Sequence, residues 1–89
     1  MTLRIQRSVE TRLIVLTLAG RIQADQVPDL EALLKSEDSD RDIVLDLKEV
    51  GVVDREVMHF FMSCEADGVK LENCTPYIRE WMEREKAAR

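Results

Sequence analysis

The chain is poor in the residues that carry most site chemistry. It has one histidine, His59, and two cysteines, Cys64 and Cys74. Two thiols make no disulfide framework, and their spacing fits no zinc motif, which needs a second pair. Cys64 falls roughly 15 Å along a predicted helix whose start lies near Cys74, beyond the roughly 7 Å between Cα atoms that a disulfide spans. Both are expected to be reduced, packed thiols. Glycine is scarce too: Gly20, Gly51 and Gly68 stand one per loop, so no glycine-rich phosphate cradle is present. A general base needs an oriented partner, and no Ser-His-Asp or Cys-His set can be assembled around His59. These absences predict a protein that is not an enzyme and takes no cofactor or metal.

Long apolar runs are missing as well. The longest, Leu13 to Leu16, compares with about 20 residues for a membrane-spanning helix. The opening Met1-Thr2-Leu3-Arg4-Ile5 alternates as a strand does and lacks the apolar stretch of a signal peptide, so a cytoplasmic location is the expectation. Positive charge is in deficit: 13 Lys and Arg against 18 Asp and Glu leave a net −5. Such a surface repels phosphate backbones and anionic lipid, so nucleic acid and membrane are not expected partners. It also serves solubility.

What is present is a regular alternation of strand and helix patterns. At 89 residues the chain reads as one domain spanning 1–89. Leu3–Gln6 and Arg12–Leu18 predict an antiparallel hairpin turning at Glu10-Thr11, the second strand ending at Gly20. Asp25 as N-cap and Pro28 in the first turn open a helix with an apolar stripe of Val27, Leu30, Leu33 and Leu34. Glu37–Asp42 is a charged turn. Asp42–Leu47 is a third strand, followed by a loop through Gly51. Asp54 caps a second helix that runs to about Asp67 and is closed by Gly68, with Val57, Phe61 and Cys64 facing the core. Val69–Asn73 is a fourth strand. Thr75-Pro76 opens a last helix with Ile78, Trp81 and Met82 on one face and a Lys/Arg-rich end.

The order β-β-α-β-α-β-α predicts an α/β fold with a mixed four-stranded sheet, parallel wherever a helix intervenes. Alternation assigns Leu3, Ile5, Ile14, Leu16, Leu18, Ile43, Leu45, Leu47, Val69 and Leu71 to one face. The other face takes Arg4, Gln6, Leu13, Val15, Thr17, Val44, Asp46, Lys70 and Glu72. A sheet covered on both sides would read as unbroken apolar runs, so two layers are expected, with helices mainly on one face.

Three stretches carry a resemblance to a known family. They are Leu18-Ala19-Gly20-Arg21-Ile22, the run Asp46-Leu47-Lys48-Glu49-Val50-Gly51-Val52-Val53-Asp54, and the amphipathic helix after the last strand. With the element order, they resemble the STAS domain of anti-sigma-factor antagonists, whose segments read Leu-x-Gly-x-Leu/Ile and Asp-Leu-Ser-x-Val-x-Phe-Ile-Asp. The resemblance covers nearly the whole chain. It implies a bacterial protein-binding module whose partner is an anti-sigma factor or a histidine-kinase-like ATPase, with a role in regulating transcription. The departure follows Asp54. Antagonists typically continue Ser-Ser-Gly or Ser-Thr-Gly there, and a kinase phosphorylates the second hydroxyl. This chain has Arg55-Glu56-Val57, so the usual phospho-switch does not carry over. Glu56 stands at the aligned position, where a carboxylate is stabilised by the helix dipole. It is read either as that stabilisation alone or as a fixed charge weakly mimicking phosphoserine.

The resemblance places recognition at Asp54, Arg55, Glu56, Met58, His59 and Met62. His59 is expected opposite the core stripe, in solvent. Met58 and Met62 lie on a flank that either binds a partner or fills the core edge against a neighbouring helix. On the open sheet face, Leu13, Val15 and Val44 form a second candidate surface, through which a homodimeric scaffold would assemble. Ser36, Ser39 and Ser63 remain alternative places for modification.

Overall fold

A computed structural model describes residues 3–37 and 40–88; Ser39 lies outside the described residues. The elements are β1 (Arg4–Glu10), β2 (Leu13–Ile22), a 3₁₀ turn at Ala24–Gln26, α1 (Val27–Lys35), β3 (Asp42–Val53), α2 (Arg55–Ala66), β4 (Lys70–Glu72) and α3 (Pro76–Ala87). The sheet runs β1-β2-β3-β4, the first pair antiparallel and the others parallel. The expected mixed α/β sheet and element order are therefore present.

The alternation that assigned the faces holds through the centre of the sheet. Ile14, Leu16, Leu18, Leu45, Leu47 and Leu71 join Leu30, Val57, Phe61, Ile78 and Met82 in one core between sheet and helices. Burial of these aliphatic and aromatic side chains drives folding, each contributing roughly 1.5–3 kcal/mol relative to exposure. β1 departs from the expectation. Ile5 pairs with Leu18 and so points to the helix side, yet it stays 41% exposed, because the helices do not reach over this edge strand.

Three local expectations are corrected. Asp25 does not cap α1: it sits inside the 3₁₀ turn, where the Gln26 side chain accepts a hydrogen bond from the Gln23 N–H at 2.8 Å. β2 continues past Gly20, whose φ of 95° only a glycine adopts without strain. The segment through Gly51 is no loop, since β3 runs on to Val53. It does so through two register shifts, with Thr17 and Ala19 facing Asp46 and Glu49, then Gly20 and Ile22 facing Val50 and Val53. Each shift is an extra residue on β3, a bulge that bends the strand locally. The Asp46 carboxylate supports the first bulge by accepting from the Lys48 N–H at 3.0 Å.

Candidate functional site

The start of α2 is built by Asp54. Its backbone is extended, and its side chain accepts from two N–H groups: Val57 at 3.1 Å, the N-cap bond, and Ala24 at 2.9 Å across the chain. One carboxylate thus satisfies an orphan amide of α2 and ties the 3₁₀ turn to it. The far end of α2 closes as expected. Gly68 has φ 95°, its N–H reaches the Glu65 carbonyl, and the Val69 N–H reaches the Cys64 carbonyl at 2.9 Å, the paired bonds of a glycine C-cap.

Between these caps the residues predicted for recognition separate. Asp54, Arg55, Glu56 and His59 are exposed along the first turn and a half. Glu56 makes no hydrogen bond or ion pair among the described residues, so its charge is presented to solvent beside the positive end of the helix. Met58 is fully buried and Met62 is half-buried against the core. Met58 is therefore core, not partner surface. α2 packs on the sheet with α1 and α3 to either side, so its apolar face widens to Val57, Met58, Phe60, Phe61 and Cys64.

A residue missed by sequence reasoning completes this surface. Glu85, on α3, accepts at Oε1 from Arg55 Nη2 at 3.3 Å and lies 3.0 Å from His59 Nε2. Arg55 and His59 are four apart on α2, hence on one face. Hydrogen bonding to His59 first, then the charge and hydrogen bond of Arg55, holds the Glu85 carboxyl below its ordinary range against the opposing effect of burial. Glu85 sits seven residues after Ile78 on the predicted apolar face of α3, and a charge in that position is the signal that could have found it. Further along α2, Glu65 pairs with Arg79 at 3.2 Å and Lys86 at 3.7 Å. Between the helices runs a groove of about 620 Å³ lined by Arg55, His59, Met62, Ser63, Ala66 and Glu85 among others.

A second clamp lies on the other side of the sheet end. Asn73, with φ 57°, donates from Nδ2 to Asp46 Oδ1 at 3.0 Å. That bond, then the Lys48 N–H, pulls the Asp46 carboxyl below its usual value. The apolar residues of the open sheet face are less exposed than the sequence alternation implied. Val44 is 3% exposed, held in register between Val15 and Lys70, while Leu13 and Val15 are half-buried. Ser36 donates to the Leu33 carbonyl at 2.7 Å as α1 ends, and Ser63 is exposed on α2. Cys64 and Cys74 are free thiols. Among the described residues no three His, Cys, Asp or Glu side chains converge as a metal site requires, and no helix is long and apolar enough to cross a membrane.

No family model and no curated protein matches the sequence. The fold does match solved structures. A STAS domain of an anti-sigma-factor antagonist from Rhodobacter sphaeroides superposes with a TM-score of 0.65 at 13% identity, over 81% of this chain and 87% of that one. The chain therefore has the STAS fold. A second structure, of Mglu, matches with a TM-score of 0.50 at 30% identity, over 75% of this chain and 18% of that much longer one.

Proposed function

We propose that this chain is a non-catalytic protein-binding module of the anti-sigma-factor-antagonist type, acting in bacterial regulatory signalling in the cytoplasm. It works by competitive occupancy, sequestering an anti-sigma factor or a histidine-kinase-like ATPase from another partner. The observation that carries this reading is the capped start of α2. Asp54 fixes its geometry through two hydrogen bonds, and Arg55, Glu56 and His59 stand exposed on it. The recognition surface is Asp54, Arg55, Glu56, His59 and the half-buried Met62, with Glu85 setting the orientation of the two basic side chains. No hydroxyl occupies position 55 or 56, so binding is not gated by phosphorylation there; Glu56 supplies a permanent single charge, weaker than the roughly 1.5–2 of a phosphoserine.

Affinity capture from a lysate of the source organism, followed by mass spectrometry, tests this. Wild type is expected to retain a regulatory ATPase or anti-sigma protein that the Arg55→Ala/Glu56→Ala variant loses while keeping a wild-type circular-dichroism spectrum. Equal recovery by both proteins contradicts the assignment. If Glu56→Ser becomes a kinase substrate with unaltered partner binding, Glu56 is a dipole partner only.

A further inference from the structure

The two edges of the sheet are guarded differently. β4 is only three residues long and carries Lys70 and Glu72, so it offers little backbone to a stranger. β1 has seven residues, without proline or glycine. Its pairing to β2 runs unbroken from Arg4 opposite Ala19 to Glu10 opposite Leu13, with no bulge. All seven residues are exposed, and among the described residues no strand lies outside β1. On its helix side Ile5 and Val9 are 41% and 45% exposed. A long, flat edge with exposed apolar side chains is a template for pairing with another strand.

The occupant is written in β1 itself, which is self-complementary. Set antiparallel to a second copy with Arg7 opposite Arg7, it places Arg4 opposite Glu10, Ile5 opposite Val9 and Gln6 opposite Ser8. A two-fold axis repeats each pairing. Arg7 is already engaged within its own chain, Nε to Glu37 Oε2 and Nη2 to Glu37 Oε1, both at 2.8 Å. The central arginines therefore meet as two compensated ion pairs. Registers that keep each side chain on its own face differ by steps of two residues. The neighbouring ones oppose Ile5 to Arg7, or Arg7 to Val9, and lose both Arg–Glu pairs.

We infer that the chain self-associates as a symmetric dimer through β1, joining two sheets into one of eight strands. Ion pairs Arg4–Glu10 flank the open face, and Ile5–Val9 contacts cover the exposed apolar spots of the helix face. This is an edge contact and does not use Leu13, Val15 or Val44. It is also independent of partner binding at the start of α2. One pair of short strands buries less than the roughly 1,200–2,000 Å² of a standard interface, so the dimer is weak and its population follows concentration.

Sedimentation equilibrium on the full chain over a concentration series tests the inference. Wild type shows a mass rising towards twice the monomer. Arg4→Glu, like Glu10→Arg, sets like charges opposite each other twice and raises the dimer Kd about tenfold or more. An equimolar mixture of those two variants restores wild-type association, because both pairs between positions 4 and 10 are then of opposite sign. Both side chains are exposed in the monomer, so unchanged circular dichroism shows the variants folded. A wild type monomeric up to about 1 mM, single variants with wild-type Kd, a mixture that fails to associate, or a dimer lost in Val15→Glu instead, overturns it.

Discussion

Replacing Asp54 with alanine is expected to destabilise the domain by about 2 kcal/mol. Loss of the N-cap bond to Val57, 3.1 Å long, accounts for about 1 kcal/mol. Loss of the 2.9 Å bond from the Ala24 N–H to the same carboxylate adds about 1 kcal/mol, the value of an ordinary bond, because solvent at this exposed site offsets the advantage of a charged acceptor. For a domain of this size each kcal/mol moves Tm by roughly 4–8 °C, so a fall of about 8–16 °C follows. Asp54→Asn keeps one carbonyl oxygen and can serve only one of the two amides, so it is expected to lose about half as much. Thermal and urea unfolding followed by circular dichroism measure both. An alanine variant within ~0.5 kcal/mol of wild type, or an asparagine variant as damaged as alanine, would refute the double-cap reasoning.

Met58→Ala, emptying a fully buried site, is expected to cost about 2–5 kcal/mol in urea unfolding, against less than about 1 kcal/mol for Met62→Ala at the half-exposed rim; equal losses would contradict the assignment of Met58 to the core. The Cys64 thiol, pushed up to about 12 by burial first and then by nearby Asp67 and Glu31, is expected to resist alkylation at pH 8 while Cys74, also raised by burial but less enclosed, reacts earlier in a mass-spectrometric time course. Because the unfolded thiol ionises near 9 and the folded one does not, this group's contribution to stability is present below pH 9 and declines as pH rises towards 12. For Glu85 the sign is opposite. Its folded pKa lies below the ordinary 4.5, so its contribution is present above pH 4.5 and disappears as pH falls through the folded value. Urea midpoints of wild type and Glu85→Gln are accordingly expected to differ at pH 7 and converge in acid.

Much of the fold was legible in the sequence because its signals are local. Strand alternation gave the faces of β2 and β3, and Asp54 and Gly68 marked the two ends of α2 by cap chemistry alone. What stayed hidden depends on neighbours. β3 passes through Gly51 by way of two bulges, the first of them supported by the Asp46 carboxylate accepting from the Lys48 N–H, which no periodicity displays. Ile5 carries a core pattern but lies on an edge strand that no helix covers. Met58 and Phe60 fall outside a single helical stripe, yet α2 has partners on several sides and buries them. Glu85 reaches Arg55 and His59 only through the packing of α3 on α2.

Backbone amide chemical-shift mapping, with the captured partner titrated into labelled protein, tests most directly that the start of α2 is the recognition surface. The expected result is a set of shifts concentrated at Asp54, Arg55, Glu56, His59 and Met62, extending to Glu85 across the groove. Shifts confined to β1, or to Leu13, Val15 and their neighbours on the open sheet face, would place recognition elsewhere and contradict it.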